Sequence, residues 1–102
     1  MKILISCIIT TKNEREVIRA FLSSIKKQNY KNFEIILVDN NSTDETVKIA
    51  ETFGAKIFTY GPERSAQRNL GVKKAQGKYV LILDADMVLT RNVLADCVEK
   101  LE

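Results

Sequence analysis

Four apolar runs recur along this chain, and a stretch with helical periodicity follows each of them. The runs cover residues 3–10, 33–38, 55–60 and 79–83, and the third of them alternates in character around Ile57 and Phe58, which fits the edge of a sheet. Strands that alternate with helices through short connections form a parallel sheet with right-handed crossovers. We therefore expect an α/β fold, namely a Rossmann-like three-layer sandwich whose four-stranded parallel sheet has the order 3-2-1-4 and carries helices on both faces.

The segments between the runs contain residues that typically begin or end helices. Apolar residues at helical spacing predict a first helix over residues 14–27. The predicted N-caps of the later helices are Ser42 (with Glu45 as a capping box), Ser65 and Thr90, and the predicted helix ends are Gly54 and Gly77. The residues expected to face inward from the last helix are Val93, Leu94, Cys97, Val98 and Leu101.

The fourth run differs from the others because it ends in Asp84-Ala85-Asp86. A continuous apolar run of this length is typical of a strand buried on both faces of a parallel sheet. Open α/β sheets bind their ligands at the carboxyl ends of the strands, which is where these carboxylates fall. Two hard oxygen ligands in Asp-x-Asp suit Mg²⁺ or Mn²⁺ that bridges to a phosphate. The run therefore predicts a metal and phosphate site.

Polar residues also follow two other strands, at Thr10 to Glu14 and at Asp39 to Asn41. In the order 3-2-1-4 the topological switch point lies between the first and fourth strands, so both turns and the two aspartates would border one crevice. The first turn contains no glycine, which excludes the usual dinucleotide fingerprint, and the chain has no P-loop. Phosphate charge would then be neutralised by the metal and by Arg64 and Arg68.

Composition sets the remaining limits. The 102 residues allow one domain over 1–102, and the formal net charge of +3 suits an anionic ligand without indicating nucleic acid. No apolar stretch is long enough for a membrane span. Cys7 and Cys97 lack metal-ligand spacing, so we expect buried free thiols in a reducing, cytoplasmic setting. The absence of histidine removes the most common general base.

Four segments together resemble the donor-binding half of inverting glycosyltransferase family 2, whose fold is of the GT-A type. The matching segments are 8–14, 35–44, 64–71 and 84–86. They occur in the family's order, each at the expected edge of a strand or helix, and they extend over most of the chain. Asp-x-Asp alone would be a weak match, whereas the four segments in order are a specific one.

The resemblance implies a site for a nucleotide-diphospho-sugar such as a UDP- or GDP-sugar. The implied nucleotide-binding residues are Thr10, Glu14, Asp39, Arg68 and Asp84, and the implied ligands of Mn²⁺ or Mg²⁺ are Asp86 and Asp84. In this scheme Asp39 accepts a hydrogen bond from the base, and Arg68 approaches the diphosphate or holds the Asp-x-Asp turn. The metal that Asp86 ligates stabilises the departing nucleoside diphosphate.

The family's enzymes continue well beyond their Asp-x-Asp strand, into an acceptor-binding half that carries the catalytic acid or base. Here one helix follows that strand, so we expect a donor-binding half without a general base, weak or inactive alone. Asp96, Glu99 and Glu102 are expected on the outer face of this helix. The alternative is a non-catalytic nucleotide-binding or assembly module. The apolar fourth strand would lie at a sheet edge, which predicts self-association through that edge or the last helix.

Purely structural roles would also explain several of these residues. Asp39 could begin the turn ahead of Ser42, and Glu14 could lie at a helix N-terminus, where an acidic side chain suits the helix dipole. The two aspartates of the fourth run could be solvated turn residues, and Arg64 and Arg68 could lie on the surface. These alternatives stay open at the level of sequence.

Overall fold

The computed structural model of the chain describes residues 3–102, which form four strands and four helices. In chain order they are β1 (Ile5–Thr11), α1 (Arg15–Lys26), β2 (Phe33–Asp39), α2 (Thr46–Thr52), β3 (Lys56–Thr59), α3 (Arg64–Lys74), β4 (Tyr79–Asp84) and α4 (Val93–Leu101). The strands pair in parallel in the order β3-β2-β1-β4. The expected α/β fold and strand order are confirmed. No helix within residues 3–102 combines the length and apolar composition needed to cross a lipid bilayer.

The predicted capping box at Ser42 is wrong. Helix α2 begins at Thr46, and its preceding residue Glu45 makes no side-chain capping bond. The Ser42 hydroxyl instead donates to Asp39 Oδ1 at 2.6 Å, and Asp44 Oδ1 accepts the Thr46 N–H at 2.9 Å. The Ser42 hydroxyl also accepts the N–H of Asn13, 29 residues away, at 2.8 Å, so it is engaged by Asp39 and Asn13 rather than by the helix.

The predicted caps of the last two helices are also wrong. Helix α3 begins at Arg64, so Ser65 lies inside it, and α4 begins at Val93, beyond Thr90. The carbonyl of Thr90 accepts a hydrogen bond from the buried side chain of Gln28 at 2.6 Å, which holds this residue against the end of α1 instead.

The two glycines predicted to end helices behave differently. Gly54 follows α2 with φ of 80°, the left-handed conformation that such a position requires, so this prediction is confirmed. Gly77 is not the residue that ends α3, because the helix stops at Lys74. A Cβ at Gly77 would lie 2.6 Å from Ser6 Oγ and 2.7 Å from the Leu4 carbonyl oxygen, so glycine is needed there for close approach to the β1 backbone.

Most of the hydrophobic core lies between the sheet and the helices α1, α2 and α4. Helix α1 contributes the buried residues Ile18, Phe21, Leu22 and Ile25. A smaller cluster on the opposite face joins Ile8, Ile36 and Val38 to partly buried residues that include Leu70 of α3. Helices therefore cover both faces, as expected for the three-layer sandwich, and the central strand β1 is buried along its whole length.

The expectation that β4 is buried on both faces is wrong. Val80 is 38% exposed and Ile82 is 47% exposed, whereas Leu83 is buried. Helix α3 packs on β1 and β2, which leaves this face of β4 open. Leu101, which was expected to face inward from α4, is also exposed, at 58%. The structure thus leaves an apolar surface at the β4 edge.

The two cysteines are free thiols, but the expected burial holds for Cys7 alone, because Cys97 is only half-buried. Cys7 is buried in β1, and burial raises the pKa of its thiol to about 12. It stays protonated at neutral pH and acts as a small apolar side chain of the core.

Glu34 joins three parts of the fold at the amino end of the sheet. Its carboxylate accepts hydrogen bonds from the Ser6 hydroxyl and from the Gln76 N–H, and it pairs with Lys56 Nζ at 2.7 Å. Burial raises the pKa of Glu34, but the hydrogen bonds from Lys56, Ser6 and Gln76 outweigh it, so the pKa in the folded protein lies below its usual value.

We expect Glu34→Gln to destabilise the protein at neutral pH by about 1–3 kcal/mol, since hydrogen bonds to a charged group are lost. A carboxylate whose pKa is lowered by folding stabilises the protein above its unfolded-state pKa, and this contribution is lost as pH falls through the folded-state pKa. Urea unfolding at pH 7 and at pH 3 should therefore show a smaller gap between variant and wild type at pH 3. The exposed Glu99→Gln is the control, and an equal gap at both pH values would contradict the assignment.

Candidate functional site

A cavity of about 300 Å³ opens at the carboxyl ends of β1 and β4. It is lined by Thr10, Glu14, Arg64, Asp84, Ala85 and Asp86. Thr10 and Asp84 are direct partners in the parallel register of these two strands. The structure therefore brings together five of the residues singled out in the sequence, from three separate segments of the chain.

The Asp-x-Asp segment is a tight turn that follows β4. The N–H of Met87 donates to the carbonyl of Asp84 at 3.1 Å and closes this turn. Ala85 is buried, whereas Asp84 and Asp86 on either side of it are exposed. Within residues 3–102 neither carboxylate forms a salt bridge. Both acids are thus available to an external cation.

The carboxylates of Asp84 and Asp86 suit a divalent metal ion that takes its remaining ligands from outside the protein. Over the described part of the chain, no group of three or more His, Cys, Asp or Glu side chains could hold a metal ion. Mg²⁺ and chemically similar ions are commonly held by one or two carboxylates together with substrate phosphates. Asp84 and Asp86 therefore suit an ion that shares its coordination with a phosphate ligand, and they do not form a closed protein site.

Two arginines of α3 face the same side of that helix, because they are four residues apart. Arg64 lines the same cavity as the two aspartates. Arg68 does not line it, but its Nε is buried and has no hydrogen-bond partner among residues 3–102. An unpaired buried donor of a charged group is costly, and an anionic group at the site would satisfy it.

Asp39 lies outside the cavity and is only 2% exposed. Its carboxylate accepts hydrogen bonds from the Thr11 hydroxyl at 2.6 Å and from the Ser42 N–H at 2.8 Å and hydroxyl at 2.6 Å. Asp39 therefore has a structural role in the turn ahead of Ser42, although Ser42 does not cap α2. Its contact with a nucleotide base stays a prediction.

Hydrogen bonds join the turn after β1 to the turn after β2. Asn13 has φ of 54°, its N–H donates to Ser42 Oγ at 2.8 Å, and its Oδ1 accepts from the Thr43 N–H at 2.8 Å. The N–H of Glu14 donates to Thr46 Oγ1 at 2.8 Å. These bonds fix the backbone that presents Glu14 to the cavity.

The sequence did not assign Asn13 or Ser42 to this junction. The sequence could have indicated a tight turn at Asn13, because asparagine is one of the few residues that readily adopt left-handed φ values. Gln67 was also missed, although it is buried and donates to the carbonyls of Thr11 at 3.3 Å and Val38 at 2.8 Å. The sequence did indicate that Gln67 is buried, because it lies three and four residues before Leu70 and Gly71 and therefore on the same side of α3.

The acidic residues of α4 lie where the sequence predicts. Asp96, Glu99 and Glu102 are exposed, and none of them lines the cavity. Glu102 pairs with Lys78 Nζ at 3.0 Å and accepts a hydrogen bond from the Tyr79 hydroxyl. These acids are occupied elsewhere or directed to solvent.

Comparison with known families and proteins gives consistent matches. The family model described as glycosyl transferase family 2 matches residues 6–102. The poly(ribitol-phosphate) β-N-acetylglucosaminyltransferase TarS of Staphylococcus aureus is 32% identical over 102 residues, covering 89% of this chain and 18% of TarS.

Solved structures show the same relation. The crystal structure of S. aureus TarS 1–349 in complex with UDP-GlcNAc superposes with a TM-score of 0.85 at 32% identity, covering 97% of this chain and 30% of that one. The mannosyltransferase PcManGT from Pyrobaculum calidifontis, in complex with GDP-Man and Mn²⁺, gives a TM-score of 0.84 at 27% identity, with 93% and 31% covered. The chain spans less than two fifths of the length of the curated relatives it matches.

Proposed function

This chain belongs to glycosyl transferase family 2, and from that membership we propose that it binds the nucleotide-diphospho-sugar donor of an inverting glycosyl transfer. The observation that carries the proposal is that Asp84 and Asp86, whose carboxylates form no salt bridge within residues 3–102, line the same cavity as Arg64. Carboxylates and a guanidinium that share one cavity suit a diphosphate that is held by a metal on the carboxylates and by the guanidinium itself.

Each of the five polar residues that line the cavity has a proposed contact. Thr10 and Glu14 hold the base and ribose side, and Asp84 approaches the ribose and the metal. Asp86 is the principal ligand of Mn²⁺ or Mg²⁺, which when bound stabilises the charge on the departing diphosphate as a Lewis acid. Arg64 grips phosphate oxygens in a bidentate manner.

Two further residues lie beside the cavity. We assign Arg68 to the diphosphate because its buried Nε lacks a partner among the described residues. Asp39 would receive a base N–H, typically that of uracil, on top of the three hydrogen bonds that it already accepts. A carboxylate offers about four acceptor positions, so one remains for a ligand.

The donor set predicts that metal and nucleotide bind together. Calorimetric titration of UDP, GDP and their sugars with and without Mn²⁺ tests the proposal. We expect nucleotide affinity to rise with Mn²⁺ and Mn²⁺ alone to bind weakly, because two carboxylates leave most of the coordination to phosphate and water. Absence of nucleotide binding in both conditions would refute the donor site.

The alternative is a non-catalytic nucleotide-binding or assembly module of the same fold. Asp96, Glu99 and Glu102 do not line the cavity, so we expect little or no donor hydrolysis from residues 1–102 alone. Measurable donor hydrolysis would exclude the non-catalytic module, whereas absence of nucleotide binding would favour the assembly module. We further propose a reducing setting such as the cytoplasm, in keeping with the free thiols of Cys7 and Cys97.

We also propose that the domain associates with a second copy through the β4 edge or α4. Val80, Ile82 and Leu101 leave apolar side chains exposed in this region. An open strand edge beside such a surface is a template for pairing with another chain.

Sedimentation over a range of concentrations checks the association. We expect reversible self-association that Ile82→Lys abolishes, since a charge at this position would be buried without a partner. Tyr60→Ser is the control, because Tyr60 is similarly exposed, at 50%, but lies beyond β3 at the other edge of the sheet. A strictly monomeric profile of the wild type at high concentration would refute the proposal.

A further inference from the structure

Helix α3 contacts the sheet in two chemically different ways. Towards its carboxyl end the contact is apolar, and a Cβ at Gly71 would lie only 2.5 Å from Ile8 Cγ2. Towards its amino end the contact is polar and consists of the carboxamide of Gln67, which is 3% exposed. A buried amide is tolerated only where hydrogen bonds replace its contacts with water, so this side chain calls for an explanation.

The Gln67 carboxamide connects the ends of two strands. Its Nε2 donates to the carbonyl of Thr11, the last residue of β1, at 3.3 Å, and to that of Val38 at 2.8 Å. The Thr11 carbonyl also accepts the N–H of Asn40 at 2.9 Å. One amide group therefore ties α3 to the points at which the turns after β1 and β2 begin.

The neighbours of these contacts belong to the proposed donor site. Arg64 precedes Gln67 by one turn of α3, and Arg68 follows it directly. Asp39 follows Val38, and its carboxylate accepts the Thr11 hydroxyl at 2.6 Å. The carboxamide thus sets the position of both arginines relative to the backbone that holds Asp39.

We propose that Gln67 is a positioning residue of the donor site, which holds the arginine-bearing turn of α3 against the ends of β1 and β2. The inference rests on the proposed donor binding and adds a residue that touches neither nucleotide nor metal. Loss of the two hydrogen bonds would leave the helix packed through its apolar end but would release Arg64 and Arg68 from their fixed places.

The chain offers a matched control in Gln28. This glutamine is also fully buried; its carboxamide donates to the carbonyls of Ser24 at 3.2 Å and Thr90 at 2.6 Å and accepts the Leu94 N–H at 3.0 Å. It lies just beyond the end of α1, and α1 runs from the carboxyl end of β1 towards the start of β2. Gln28→Met therefore removes a comparable buried amide far from the cavity.

The test compares Gln67→Met with Gln28→Met for UDP affinity in the presence of Mn²⁺ and for stability to urea. We expect both variants to lose stability, and only Gln67→Met to lose affinity, by about tenfold, as is common for residues that orient ligands. Wild-type affinity in Gln67→Met, or an equal loss of affinity in Gln28→Met, would overturn the proposal. Should Gln67→Met fail to fold, Gln67→Ala removes both hydrogen bonds without adding volume or charge at this buried position.

Hydrogen exchange at the Asn40 amide separates this inference from the donor-binding proposal. If the wild type binds no nucleotide, the donor site is refuted irrespective of Gln67. The exchange of Asn40 should still be faster in Gln67→Met than in Gln28→Met, because Gln67 fixes the carbonyl that Asn40 contacts. Unchanged exchange at Asn40 would refute the positioning role by itself.

Discussion

Replacement of Asp86 by alanine is expected to abolish Mn²⁺-dependent binding of UDP while the fold stays intact. Asp86 is exposed in the turn after β4 and forms no salt bridge within the described residues, so its removal costs the fold little. It leaves Asp84 as the one carboxylate of the Asp-x-Asp pair. Since partners that merely orient metal ligands are worth about 10–100-fold in affinity, we expect loss of a ligand to cost ~100-fold or more.

Calorimetry with UDP and Mn²⁺ checks this expectation, and circular dichroism verifies the fold. Asp96→Ala is the matched control, because it removes an exposed acid of α4 that does not line the cavity. Binding by Asp86→Ala with the affinity of the wild type would show that the metal site is assigned to the wrong residue. Loss of affinity in both variants would point to a general effect of net charge.

The second large effect is expected from Gly71→Ala in α3. The new Cβ would lie 2.5 Å from Ile8 Cγ2 and 3.5 Å from Val38 Cγ2. Both neighbours are fully buried β-branched side chains of the sheet, so neither can move aside easily. Either the helix or the strands must shift, and overpacking of this kind typically costs about 1–3 kcal/mol.

Urea unfolding measures the stability that Gly71→Ala loses, and titration with UDP measures the effect of the substitution on nucleotide binding. Because Arg64 and Arg68 lie on the same helix, a shift of α3 away from β1 should also weaken nucleotide binding. Val72→Ala, at the next position of the helix, is the control, since Val72 is 45% exposed and should tolerate the change. Unaltered stability of Gly71→Ala would mean that α3 is less tightly packed on the sheet than its geometry indicates.

The strand order and the cavity could be predicted from the sequence because both follow from local patterns. Apolar runs alternating with helices fix a parallel sheet, and the polar residues after β1 and β4 then meet at one edge. Thr10 and Asp84 are direct partners in register, as that reasoning requires.

The capping residues could not be predicted in the same way. Ser42 has the correct spacing from Glu45 for a capping box. Its hydroxyl instead donates to Asp39 and accepts the N–H of Asn13. Asn13 lies 29 residues from Ser42, and the capping-box pattern considers only residues within the same turn of the chain. Serine and aspartate hydrogen-bond locally in several ways, so the tertiary contact decides among them.

The burial of β4 was mispredicted for a related reason. Its composition suits a strand covered on both faces, but the sequence does not say which helix lies above which strand. Helix α3 is drawn towards β1 and β2 by Gln67 and by the close approach at Gly71, and Val80 and Ile82 stay open.

The central position of β1 has a consequence for redesign of this domain. Thr10 pairs with Val38 on one side and with Asp84 on the other, so backbone hydrogen bonds set the separation between the two turns and the Asp-x-Asp segment. A slip of one residue would turn every side chain of β1 to the opposite face. Libraries that vary only the exposed positions of the turns should therefore leave the separation between the turns and the Asp-x-Asp segment unchanged.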